Sequence, residues 1–321
     1  MFCIGKDTDN HIMRKILVVF CILAAIGFVL SACAKPRYQQ IETRPALGEF
    51  DGGRKAYLKK AAIVPGNGSR HGIDPLMQER YFSAMVESLG KQSFQIELLM
   101  PGDAGFPDFA AQWKTGNQEA DVSKTARLAR TNGFNALMST SLADIRVHSE
   151  KVGFWFWRST KYKLTIAVTM DILDPFTASK SLSLVEEKTV KSDKETYEAV
   201  RAGQWDAPIE MDETLQQLSQ AIAKKVAKKM ERLPWQAAVI SVDDDQVGLA
   251  VGKSHGLAIG DWLAVFEGGK VISGNQGQTY IAPGYKVGEI RISDLNQDHS
   301  EALIIGDASI QVGDIVVSAS K

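Results

Sequence analysis

The chain has 321 residues, 45% of them hydrophobic and 23% charged, with a net charge of −1. That balance gives no global field to attract phosphate backbones, which argues against a nucleic-acid partner, and the apolar fraction is too high for a disordered chain. All three cysteines, Cys3, Cys21 and Cys33, lie near the N-terminus, so the rest of the chain has neither a disulfide nor a thiolate metal site to stabilise it.

In chain order, the first signal is the uncharged run Ile16 to Leu30, which follows Arg14-Lys15 and ends in Leu30-Ser31-Ala32-Cys33. About 15 residues is short of the roughly 20 that a spanning helix needs and fits a signal h-region. Met1 and Met13 are both candidate starts. The pattern resembles a bacterial lipoprotein signal over residues 1–32. The resemblance implies cleavage before Cys33, acylation of Cys33 and attachment to a membrane through its lipid. Ala34 follows, where an acidic residue would imply inner-membrane retention in some bacteria, so the expected location is the outer membrane, facing the periplasm. Removing residues 1–32 takes away three basic and two acidic residues and leaves a charge of −2. The remainder is long enough for about two domains. Residues 33–57, with Lys35-Pro36-Arg37, Pro45 and Gly48 to Gly53, have no apolar period and are expected to form a tether.

From residue 58 strand and helix signals alternate as far as 234. Ala61 to Val64 is a short apolar run ended by Pro65-Gly66. Asp74-Pro75 supplies an N-cap and a proline at the first helical position, followed by Met77, Tyr81, Met85 and Leu89 at a spacing of four and by Gly90 as a stop. Phe94 to Leu99 reads as a strand. Asp121 caps a second helix with Val122, Thr125, Ala126 and Ala129 on one face before Gly133, and Ala136 to Ala143 reads as a third strand. Tyr162 to Ile172 alternates apolar and polar residues, which predicts a half-buried strand. Asp174-Pro175-Phe176-Thr177 is a turn, and Leu182 to Val190 its antiparallel partner. Leu215, Leu218, Ile222, Val226, Met230 and Leu233 step by three and four, so residues 212–233 form a long helix with its lysines outward, ended by Pro234.

The order of these elements resembles the TolB amino-terminal-like fold, shared by the middle domain of flagellar assembly protein T, the curli secretion lipoprotein and the lipoprotein activators of peptidoglycan synthases. The carrying residues are Ala61 to Pro65, Ala129-Arg130-Thr131-Asn132-Gly133-Phe134-Asn135-Ala136 before a strand, and the long strand ending at Asp174. Many relatives have Thr-Gly after that aspartate; here the pair is Thr177-Ala178.

After Pro234 the helical period ends, and 12 of the 27 glycines fall in residues 236–321. Short β-rich runs recur at Ala238 to Val242, Val247 to Val251, Trp262 to Phe266, Lys286 to Ile292, Ala302 to Ile305 and Ile315 to Val317, which predicts a small β-barrel over 235–321. Gly260-Asp261 and Gly313-Asp314 are turns feeding apolar runs. The array Gly256 to Asp261, Val287 to Ile290 and Ser300 to Ala302 is similar to the carboxy-terminal SH3-like domain of flagellar assembly protein T. The expected class is therefore α+β or α/β: a TolB-like sheet with covering helices, then a small all-β SH3-like barrel.

No catalytic, cofactor or metal site emerges. Gly66-Asn67-Gly68-Ser69-Arg70-His71-Gly72 is one residue too long for a dinucleotide fingerprint, and Asp74 places negative charge at the helix start where a phosphate would sit. Gly248 to Ser254 is one residue short of a P-loop and leads to His255-Gly256, so a strand and turn are expected. His71, His148, His255 and His299 have no zinc spacing and read as surface or turn residues. Asp243-Asp244-Asp245 reads as an acidic turn. No serine sits in a nucleophile elbow, and no enzyme is expected.

Phe154-Trp155-Phe156-Trp157, before Arg158, is the candidate partner-binding segment. On a strand, alternate residues face opposite sides, so one pair of these rings would be exposed unless both faces are packed. The Lys224, Lys225, Lys228 and Lys229 face is a weaker candidate for anionic lipid. The resemblances imply a lipid-anchored binding or assembly protein whose partners are envelope proteins of a flagellar, secretion or cell-wall complex, with room for a homo-oligomer. The alternatives are a secretion channel component like the curli lipoprotein and an activator of a peptidoglycan synthase. A channel would require amphipathic membrane hairpins, and Lys161, Lys163 and Asp171 burden the one hairpin available.

Overall fold

The computed structural model describes residues 57–66, 73–92, 96–113, 122–204, 209–274, 279–282 and 284–319. Cys33, residues 1–32 and most of the tether lie outside these, as do residues 67–72, which hold most of the glycine loop.

A five-stranded sheet has the order β2-β1-β3-β4-β5, formed by β1 (Lys59–Pro65), β2 (Ile96–Leu99), β3 (Phe134–Val152), β4 (Ser159–Asp174) and β5 (Ser179–Ser192). β1 runs parallel to both β2 and β3, while β3, β4 and β5 form an antiparallel meander. The parallel pairs need crossovers: α1 (Pro75–Gly90) joins β1 to β2, and α2 (Asp108–Trp113) and α3 (Val122–Thr131) lie between β2 and β3.

Helices cover both faces, which explains why Ala61 to Val64 is apolar without alternation. Ala61 and Ile63 face one core with Met77, Tyr81, Met85 and Leu89 of α1 and Leu215, Ile222, Val226 and Met230 of α5 (Ile209–Arg232). Ala62 and Val64 face the other, with Ala110, Ala129 and Phe134. α5 starts three residues before its predicted boundary but buries the expected stripe. α2 and α4 (Lys194–Arg201) carried no sequence signal; Asp193 caps α4 by accepting the Thr196 N–H at 2.6 Å.

α1 is held to the sheet by two polar contacts. The Tyr81 hydroxyl lies 2.7 Å from Thr140 Oγ1 in the core. The Gln78 amide donates to the Leu142 carbonyl at 2.7 Å and accepts the Leu142 N–H at 3.0 Å. β3 bulges between Leu142 and Asp144 where β1 has ended, so the side-chain amide replaces the missing strand partner.

Six of the remaining strands close a barrel in the order β11-β12-β7-β6-β13-β8. They are β6 (Gln236–Asp243), β7 (Gln246–Leu249), β8 (Trp262–Phe266), β11 (Lys286–Leu295), β12 (Ser300–Ile305) and β13 (Ile315–Ser318), and each contains or overlaps one of the six predicted runs. A ribbon of β9 (Lys270–Ser273) and β10 (Thr279–Ala282) was not anticipated. The chain is therefore mixed α/β, rich in sheet, with a closed six-stranded barrel.

Sheet and barrel belong to one compact unit. Asn135 links them: its amide donates to the Gln236 carbonyl at 2.7 Å and accepts the Lys60 N–H at 3.2 Å. The Leu58 N–H donates to the His255 carbonyl and the Ile281 N–H to the Thr177 carbonyl, each at 3.0 Å. Ile281 of β10 is buried with Ala126 and Ala178, so the ribbon clasps the sheet side.

Candidate interaction surface

β3 and β4 pair as far as Val152 and Ser159, but β5 leaves β4 at the pair Tyr162–Ser192. The end of this hairpin therefore has only two strands. Residues 153–158 close it with a turn that contains a short 3-10 segment, Trp155–Trp157. The Trp157 N–H donates to the Phe154 carbonyl at 3.1 Å. Gly153 has φ +110°, and a Cβ there would lie 2.2 Å from the Trp157 carbonyl oxygen, so no other residue fits. Trp155 has φ +48°, a left-handed conformation that costs a non-glycine residue about 1–2 kcal/mol.

The turn sends all four rings outward. Phe154 is 85% exposed, Trp155 70%, Phe156 82% and Trp157 85%. Trp155 and Phe156 stack on each other at 4.8 Å with planes 13° apart. A strand would have divided the rings between two faces; the turn removes that constraint and exposes both pairs. Between Ser149 and Lys163 four basic side chains accompany one carboxylate, that of Glu150. Lys163 Nζ lies 2.8 Å from Glu150, and its hydrogen bond and charge lower that carboxyl's pKa. Lys151, Arg158 and Lys161 are exposed around the aromatic tip. In the hairpin register Lys151 is opposite Thr160 and Lys161 opposite Glu150, so the two lysines extend from opposite faces below the tip.

The other candidates resolve differently. Lys224, Lys225 and Lys228 are exposed on α5, but Lys225 forms an ion pair with Glu186. Asp244 sits in a turn between β6 and β7 with φ +47°. His148 is exposed; His255 lies in a turn, one of the two expected settings, but it is buried and not at the surface. Although it ends a 3-10 turn, Lys253–His255, that turn is pressed against the sheet side, where Gly133 comes close to the ring. Burial first, and then the Lys60 charge, push its pKa down to about 4, so the ring is neutral at pH 7. Nδ1 lies 3.0 Å from Ser254 Oγ, and among the described residues Nε2 has no hydrogen-bond partner. Among the described residues no three His, Cys, Asp or Glu side chains gather as a metal site, and no helix is long and apolar enough to cross a membrane.

No known family model matches the chain, and no curated protein matches its sequence. Solved structures with some likeness include the hypothetical protein CT253 from Chlamydia trachomatis, 10% identical over 55% of this chain and 97% of that one, with a TM-score of 0.33. Lipoprotein GNA1162 from Neisseria meningitidis is 12% identical over 53% of this chain and 99% of that one, with a TM-score of 0.31. A PelC dodecamer from Paraburkholderia phytofirmans is 13% identical over 58% and 93%, with a TM-score of 0.30.

Proposed function

We propose that this chain is an envelope protein anchored by lipid at Cys33 to the periplasmic face of the outer membrane, where it acts by contact and not by catalysis. The observation that carries the reading is the aromatic turn: a strained, glycine-locked loop holds four large apolar side chains in solvent. Their exposure forfeits roughly 1.5–3 kcal/mol of burial for each large ring. Exposed apolar groups at one projecting site are the usual mark of a surface that meets something else. The lipobox at Leu30 to Cys33 supplies the address, and confinement at a membrane raises the effective concentration for that encounter. In this reading the sheet is TolB amino-terminal-like and the barrel SH3-like, as in flagellar assembly protein T, and the chain serves assembly of an envelope complex. A channel role is disfavoured by the charged Lys151, Lys161 and Lys163 in the outer half of the β3–β4 hairpin, which would lie badly against acyl chains.

Two measurements test this. The mass of the mature chain should show acylation at Cys33, absent in Cys33→Ser. A photoreactive amino acid in place of Phe156 should give adducts with envelope components in intact cells, more than one placed at the exposed strand position Val185. Equal yields from the two positions would overturn the turn as the contact.

A further inference from the structure

We propose that the aromatic turn docks into the interfacial layer of an anionic lipid bilayer, giving the chain a membrane contact separate from its acyl anchor. The inference rests on the contact reading above and names the partner. Three observations lead to it.

The first is the kind of residue and its shape. Trp155 and Trp157 have an apolar ring with one polar N–H, the amphipathic form that settles at headgroup depth, and Phe154 and Phe156 add apolar area. The rings sit on a convex tip, and a tip enters a fluid layer without needing a matching groove. The 3-10 turn and the stacked pair fix them outward in advance, so little ordering remains to be done on insertion.

The second is charge. The whole chain carries −1, yet residues 149–163 carry four basic groups and one acidic group. Lys151 and Lys161 are exposed on the strands that flank the rings and Arg158 at the end of the turn, where their ammonium and guanidinium heads would meet phosphate headgroups while the rings go deeper.

The third is reach. Residues 34–56 separate Cys33 from the first described residue, and 23 residues span at most about 80 Å when extended. β3 has 19 residues and so measures about 60 Å. The covalent path is thus long enough for the turn to touch the bilayer that holds the lipid.

The test uses the acylated full chain in vesicles of phosphatidylethanolamine and phosphatidylglycerol, with lipids brominated near the headgroup as quenchers. The chain has six tryptophans, and the component from Trp155 and Trp157 should be quenched and shifted to the blue. The double variant Trp155→Ala, Trp157→Ala should lose that component. Arg158→Glu with Lys161→Glu should weaken it, and so should vesicles of phosphatidylcholine alone. All four sites are exposed, and near-ultraviolet circular dichroism of the remaining aromatics verifies the fold. Equal quenching in wild type and the tryptophan double variant would overturn the proposal and leave a protein as the partner. An unacylated mass for the mature chain would instead overturn the lipid-anchor reading, so the two failures are distinguishable.

Discussion

At the residue scale, single polar groups in the core determine much of what is measurable. Tyr81 places its hydroxyl on Thr140, which itself donates to the Thr169 carbonyl at 2.7 Å, and burial raises the Tyr81 pKa. Tyr81→Phe should cost about 1 kcal/mol in denaturant unfolding, because Thr140 keeps a partner. His255 gives a pH dependence. Its folded pKa of about 4 is below the usual 6.5, so protonation favours the unfolded chain. The His255 contribution is fully present above pH 6.5 and is lost as pH falls from 6.5 through 4. It amounts to about 3 kcal/mol at most. Unfolding followed at pH 7 and pH 4.5 should show this loss, and His255→Gln should flatten it. Ala178 has φ +52°, in the left-handed region that favours glycine. Relief of backbone strain in Ala178→Gly is offset by the lost methyl burial and the greater freedom of the unfolded chain. The net change should stay within about 1 kcal/mol.

At the element scale one turn recurs three times. In Met100 to Asp103, Ala258 to Asp261 and Gln311 to Asp314 the third residue is a glycine with φ +101°, +90° and +97°. The aspartate N–H donates to the carbonyl of the first residue at 3.0–3.1 Å, and the aspartate side chain accepts the first residue's N–H at 2.8 Å. Asp314 also accepts the Gly268 N–H at 2.9 Å and is buried. Asp314→Ala should therefore cost about 2–3 kcal/mol, against about 1 kcal/mol for the half-buried Asp103→Ala. Gln78 is the comparable device for the bulge in β3. Gln78→Leu would strand the N–H and C=O of Leu142, and a loss of about 1–3 kcal/mol is expected in thermal or denaturant melts.

At the scale of the whole molecule, sheet and barrel meet through Asn135, the His255 turn and the β9–β10 ribbon. Gly133, with φ +76°, lies so close that a Cβ would stand 2.5 Å from the Ala250 carbonyl oxygen. The sheet and barrel should unfold in a single transition by both circular dichroism and tryptophan fluorescence. Asn135→Ala should lower the stability of both together by about 1–3 kcal/mol. Separate transitions in the wild type would reject this coupling.

Periodicity made much of the fold legible. The stripe from Leu215 to Met230, the spacing of four from Met77 to Leu89 and the six apolar runs after Pro234 reflect local geometry and solvent exposure, which residue order alone encodes. The Leu30 to Cys33 pattern, on which the anchor proposal rests, is likewise a linear signal. The candidate surface was half legible: four adjacent aromatics marked the place, but their common exposure depended on Gly153 and Trp155 adopting a turn that hairpin closure imposes. The Gln78 clasp on Leu142 and the burial of His255 could not be read in advance. Each depends on contacts between residues far apart in the chain, and only the packing of strands, helices and barrel brings them together.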